Sequence, residues 1–107
     1  MLQQTINQSL KGVLLVLAIV GGAPASAGDV FNGRTLYDDH CIGCHGASGE
    51  GDGFTVPAFS KGNILFSLDT DILPLVESGK GIMPAFKSIL SEQEILDIIS
   101  YIRTLED

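Results

Sequence analysis

Both cysteines of this 107-residue chain fall within one run of five, Cys41-Ile42-Gly43-Cys44-His45. Two thiols two residues apart, followed at once by an imidazole, admit few chemistries. A dithiol oxidoreductase uses the same spacing, but in a βαβ setting, and this sequence shows helical and loop patterns without strand alternation. A closed zinc site wants four ligands; His40, Cys41, Cys44 and His45 are too crowded along the chain to supply them. An iron–sulfur cluster asks for more thiolates than two. Covalent attachment of haem remains, with Cys41 and Cys44 adding across the vinyl groups and His45 binding the iron.

The start of the chain fits that chemistry. A polar stretch carrying Lys11, the apolar run Val13 to Val20 and the small residues Ala25-Ser26-Ala27 read as a secretory signal cleaved after Ala27. The alternative, a retained anchor, is opposed by length, since spanning a bilayer takes roughly 18 to 20 apolar residues. The expected domains are therefore 1–27, a cleaved signal, and 28–107, a single small domain in an exported, periplasmic protein with no membrane attachment after cleavage. An oxidising compartment requires its thiol pair to end as a disulfide, a metal site or a cofactor attachment.

A domain of this size buries too little apolar surface to be comfortably stable alone, so a built-in apolar macrocycle would complete its core. Without Lys11, five Lys+Arg stand against thirteen Asp+Glu, a net charge of −8. No basic stripe is present to bind nucleic acid.

The local signals are helical. Asp29 is a plausible N-cap for a helix reaching His40, with Phe31, Leu36 and Tyr37 as its apolar side. Gly33 lies one turn before Tyr37, where it either permits close approach of another helix or is a tolerated surface glycine. His40, at the helix end, reads as solvent-facing. Gly43, Gly46, Gly49, Gly51 and Gly53 make the next stretch a loop passing over something flat, and Val56-Pro57-Ala58-Phe59 continues it in extended form. A short helix is expected over 71–78, capped by Asp71, with Pro74 in its first turn and Gly79 as its stop. Ser91 and Glu94 form a capping-box pattern with Leu90 and Ile95 as a hydrophobic staple. Ile95, Ile98, Ile99, Ile102 and Leu105 recur at helical spacing and predict an amphipathic helix over 92–105.

Met83 is the sole methionine after the signal. A lone methionine is commonly a core filler. This one lies in the irregular loop Gly81-Ile82-Met83-Pro84-Ala85-Phe86, where packing does not call for an isolated thioether.

Over essentially all of 28–107 the sequence resembles small bacterial class I cytochromes c. The resemblance rests on the Cys41–His45 motif, the Met83 loop about forty residues later, and the closing helix with Ile98 and Tyr101. It implies an all-α class I cytochrome c fold, with three to four short helices wrapped around one covalently bound haem c. It implies a crossing of the terminal helices at Gly33 and Tyr37 against Ile98 and Tyr101. It also implies Met83 as the second axial ligand to iron beside His45, and Pro57 as the residue whose carbonyl accepts the Nδ1–H of the proximal histidine, unless Pro57 only shapes the loop.

A six-coordinate His/Met iron favours one-electron transfer over catalysis. The expected protein is a soluble monomeric carrier, not an enzyme, that docks transiently with a redox donor and acceptor at an exposed haem edge. A ligand-binding or sensor protein with a displaceable Met83, or an electron-transfer subunit of a larger oxidoreductase, are the alternatives. Lys61, Lys80 and Lys87 fall near the methionine loop, while Asp29, Asp38, Asp39, Glu92, Glu94, Asp97, Glu106 and Asp107 occupy the terminal helices. That distribution predicts a mildly basic front and an acidic back, or else lysines scattered on a solvated surface.

Overall fold

A computed structural model describes residues 28–61 and 63–105. The expected signal segment, 1–27, lies outside them. The elements in order are α1 (Val30–His40), α2 (Ile42–His45), two 3-10 turns (Phe59–Lys61 and Asn63–Phe66), α3 (Asp69–Ser78) and α4 (Glu92–Ile102). Among the described residues there is no β-strand, and no helix is long and apolar enough to cross a membrane.

α1 starts where its cap is strongest. Asp29 Oδ1 accepts from the backbone N–H groups of Phe31 and Asn32 at 2.9 and 3.1 Å, which satisfies two donors that the first turn leaves without partners. The buried face is set by Gly33 and Tyr37, four residues apart. Phe31 is two positions off that face and 87% exposed, so the expected apolar side reduces to Gly33, Tyr37 and half-buried Leu36.

α4 carries the full capping box, with Glu94 N–H donating to Ser91 Oγ (3.2 Å) and Ser91 N–H to Glu94 Oε1 (3.0 Å). Its apolar face, Ile95, Ile98 and Ile99, is almost completely buried and forms the core with Tyr37, Ile72, Val76, Phe86 and Leu90. The helix stops at Ile102 instead of the expected Leu105. Thr104 and Leu105 donate to Tyr101 and Ile102, three residues back, so the end tightens to 3-10 geometry.

α1 and α4 cross where the sequence resemblance implied. A Cβ placed on Gly33 would lie 2.5 Å from the Asp97 carbonyl carbon and 3.0 Å from Ile98 N, so the backbones meet with no room for a side chain. Tyr37 meets Tyr101 edge-on at 5.3 Å. Asp97 is not part of an exposed acidic back, because it is only 4% exposed. Its carboxylate accepts from Asp29 N–H (2.8 Å), Asn32 Nδ2 (2.8 Å) and Gln93 Nε2 (3.0 Å), clipping the start of α1 onto α4. Burial alone would raise the Asp97 carboxyl, but these hydrogen bonds outweigh it and hold the group below the usual carboxylate range.

α3 begins at Asp69, two residues before the expected start. The Leu68 carbonyl already accepts from Asp71 and Ile72 N–H, so Leu68 is the cap and Asp71 lies inside. Pro74 then sits past the first turn, where it deprives the Thr70 carbonyl of a donor; Thr70 is exposed and water can take its place. Gly79, at φ +72°, ends the helix as expected. Arg103 ties this corner to α4, donating to the Leu65 and Ser67 carbonyls (2.9 and 2.7 Å) and to Asp69 (2.6 Å).

Candidate functional site

The helical core leaves one side of the molecule to loops, and there the chain builds a cavity of about 640 Å³. The cysteine motif forms one part of its wall. Cys41 closes α1, its N–H donating to the Tyr37 carbonyl at 2.8 Å, and His45 N–H donates back to Cys41 O at 3.0 Å. That single turn, α2, brings Cys41, Cys44 and His45 to the same cavity. Gly46, at φ +84°, ends the turn, and its carbonyl accepts from the Tyr37 hydroxyl at 2.6 Å. Tyr37 is fully buried, and burial first, then nearby charges, push its phenol up to about 12, so it stays a neutral donor. The crossing helices therefore hold the motif by a direct hydrogen bond.

The methionine loop forms another part of the wall. Lys80 and Met83 exchange backbone hydrogen bonds at 3.1 and 3.0 Å around Gly81 and Ile82. Gly81 takes φ +60° at the first central position, where a tight hairpin of this kind asks for glycine. Met83 is thus fixed by a closed turn, half-buried, and lines the cavity. Its other lining includes Val56, Pro57, Phe59, Ile64, Leu75, Pro84 and Phe86.

All five residues expected at the site, Cys41, Cys44, His45, Pro57 and Met83, thus line one cavity. One expected contact differs. His45 Nδ1 is buried with no hydrogen-bond partner, so the Pro57 carbonyl is not its acceptor here. The imidazole is instead stacked on Phe59, ring centroids 4.8 Å apart and planes 20° from parallel. Burial lowers the His45 pKa, which favours the neutral imidazole that binds metals. His40 is exposed as expected, yet it also lines the cavity, edge-on to Phe86 at 6.1 Å. Phe59 stands in no motif that would mark it as a lining residue, and His40 combines the expected exposure with a place at the cavity wall.

Burial, then the neighbouring Cys44, push the Cys41 thiol up to about 11. A dithiol oxidoreductase needs the opposite, a thiol depressed toward thiolate. The cavity size falls in the cofactor range of roughly 300 to 1,000 Å³. Its lining of aliphatic and aromatic side chains, with two thiols, the His45 imidazole and one thioether, suits a large apolar macrocycle carrying a metal.

An all-α fold closed by crossing terminal helices around such a cavity defines a small c-type haem protein. The chain belongs to the cytochrome c family: residues 28–102 match the family described as cytochrome c oxidase, cbb3-type, subunit III. It is 36% identical over 85 residues to a cytochrome c6-like protein of Nostoc sp., covering 74% of this chain and 73% of that one. It is 32% identical over 94 residues to the cbb3-type cytochrome c oxidase subunit CcoP of Azospirillum sp., covering 80% of this chain but spanning only 32% of that subunit's length. The solved cytochrome c6 of the diatom Phaeodactylum tricornutum superposes with a TM-score of 0.58 at 28% identity, covering 72% of this chain and 93% of that one. The cofactor is covalently bound haem c, and the protein is an electron-transfer cytochrome.

Proposed function

We propose that the chain is an exported one-electron carrier, processed after Ala27, whose haem is held by Cys41 and Cys44 as thioethers and whose iron takes His45 and Met83 as axial ligands. The observation that carries this reading is the convergence of these four residues on one cavity. When bound, haem supplies a one-electron Fe(III)/Fe(II) couple. The chain's own residues hold and insulate it. Cys41 and Cys44 would hold the macrocycle against α2, His45 would offer its imidazole to the iron, and the closed Lys80–Met83 turn would present the Met83 thioether from a fixed position. Val56, Ile64, Leu75 and Phe86 line the cavity and would shield a bound haem from water, which would disfavour the extra charge of Fe(III), as would a soft sulfur ligand. With His45 and Met83 both committed to the iron, no residue would be needed as nucleophile or general base, which is why the reading is a carrier and not an enzyme.

Partners are redox proteins that dock weakly at the mouth of the cavity, where Lys80 and exposed Ile82 lie. Lys80 is exposed there, so an acidic partner fits this face. A pyridine haemochrome assay tests covalent attachment. The weak far-red band of Met–Fe(III) ligation in the oxidised protein, lost in Met83→Ala, tests the distal ligand. Absence of the band in the wild type, with carbon monoxide binding to the reduced form at neutral pH, refutes the carrier reading in favour of a ligand-binding protein.

The similarity to CcoP favours a second reading, an electron-entry unit within an oxidase assembly. Native purification separates the two, since a free carrier elutes alone and an assembly component co-elutes with oxidase activity.

A further inference from the structure

We propose that Asn32–Gly33 is a site of spontaneous modification gated by the helix crossing: where α1 parts from α4, Asn32 deamidates, and the product no longer holds α1 in place. The crossing creates this reactive pair by its own requirements. Close approach admits no side chain at position 33, because a Cβ there would lie 2.5 Å from the Asp97 carbonyl carbon. The clip uses an amide at position 32, whose Nδ2 donates to Asp97 Oδ2 at 2.8 Å. An asparagine followed by a residue with no side chain is the pairing in which the next backbone nitrogen reaches the carboxamide most freely.

In the reaction Gly33 N attacks Asn32 Cγ. The new C–N bond closes a succinimide, the Cγ–Nδ2 bond breaks, and Nδ2 leaves as ammonia with the proton from Gly33 N. Water then opens the ring to aspartate or isoaspartate, and no electrons change hands. The folded crossing engages both reacting groups. Gly33 N–H donates to the Asp29 carbonyl at 2.8 Å, and the departing nitrogen is the one bound to Asp97. The native rate is therefore that of the open chain scaled by the fraction open. After conversion the clip does not re-form, since a carboxylate oxygen replaces the donor opposite the buried Asp97 carboxylate, and two acceptors of like charge meet with no proton between them. A negative charge in the first turn of α1 gains from the helix dipole, but by less than the buried acceptor loses. The damage extends toward the cysteine motif, because Tyr37 on the same helix donates to the Gly46 carbonyl.

The test incubates the haem-loaded protein folded in buffer and unfolded in guanidinium, then follows the tryptic peptide ending at Arg34 by mass spectrometry. Asn63, followed by branched Ile64, is the internal control. Asn32 is expected to convert faster than Asn63 in the unfolded chain, and at least about tenfold more slowly in the folded one. Asp97→Asn, which loosens the clip, is expected to accelerate conversion in buffer. Should that variant not fold, wild-type protein in guanidinium below its unfolding transition serves instead, and its rate must climb with denaturant. Asn32→Asp is expected to unfold at lower denaturant than the wild type. Conversion of Asn32 no faster than that of Asn63 in the unfolded chain overturns the proposal, as do equal folded and unfolded rates. So do a folded Asp97→Asn variant with the wild-type rate, a wild-type rate flat below the transition, and an Asn32→Asp variant as stable as the wild type.

Discussion

Substituting Gly33 by alanine tests the helix crossing on which the site is built. The new Cβ would lie 2.5 Å from the Asp97 carbonyl carbon, where ordinary contact begins near 3.4 Å, so α1 and α4 must part by at least 0.9 Å. A gap of that order forfeits roughly a quarter to a half of the dispersion energy of each atom pair across it, and the pairs here include fully buried Tyr37 and Ile98. Overpacking among side chains costs roughly 1–3 kcal/mol, occasionally more. Since the obstacle is backbone and cannot swing aside, about 3–5 kcal/mol is the appropriate range. Against this stands a gain of about 1 kcal/mol from replacing a mid-helix glycine by alanine, leaving a net loss of roughly 2–4 kcal/mol. For a domain of this size that lowers the melting temperature by roughly 10–30 °C. Guanidinium unfolding of the oxidised, haem-loaded protein, followed by far-UV circular dichroism, measures it. A variant as stable as the wild type, or more stable, refutes the close crossing, because helix propensity alone would stabilise.

Three further outcomes follow from named contacts. Tyr37→Phe keeps the buried ring and removes the donor to the Gly46 carbonyl; a loss of about 1–2 kcal/mol in urea unfolding is expected, and an unchanged midpoint argues against the bond. Ser91→Ala removes half of the capping box and should cost about 1 kcal/mol, restored in part by Ser91→Asp. Asp97→Asn is expected to destabilise by roughly 1–3 kcal/mol at neutral pH through loss of charged acceptors. The Asp97 pKa is lower folded than its ordinary 3.8, so its contribution is full above that value and decays as pH falls through the folded value. The wild-type advantage over Asp97→Asn must therefore narrow on acidification across this range; a constant gap contradicts the role given to the carboxylate.

Much of this protein was determined by its sequence alone. Local chemistry is readable without the fold: Asp29 and Ser91 announce their helices because a cap bonds within three residues, and Cys41, Cys44 and His45 announce haem because the motif is contiguous. The match of Gly33 and Tyr37 to Ile98 and Tyr101 is what the resemblance to class I cytochromes c implies, and the close crossing agrees with it. Contacts between distant segments were not readable. Asp97 looks like any helix-surface acid until Asp29 and Asn32, more than sixty residues away, are brought against it. The start of α3 is not written in the sequence, because Leu68 has no capping side chain to announce it and Arg103 ties that corner from thirty-odd residues away. Phe59 carries no motif, and its stacking on His45 exists only once the glycine loop folds back over α2. The cofactor chemistry and the two helices that frame it are written in residues close along the chain. Which ring stacks on the imidazole and which acid is buried emerge on folding, because orientation and burial depend on neighbours that the chain order does not record.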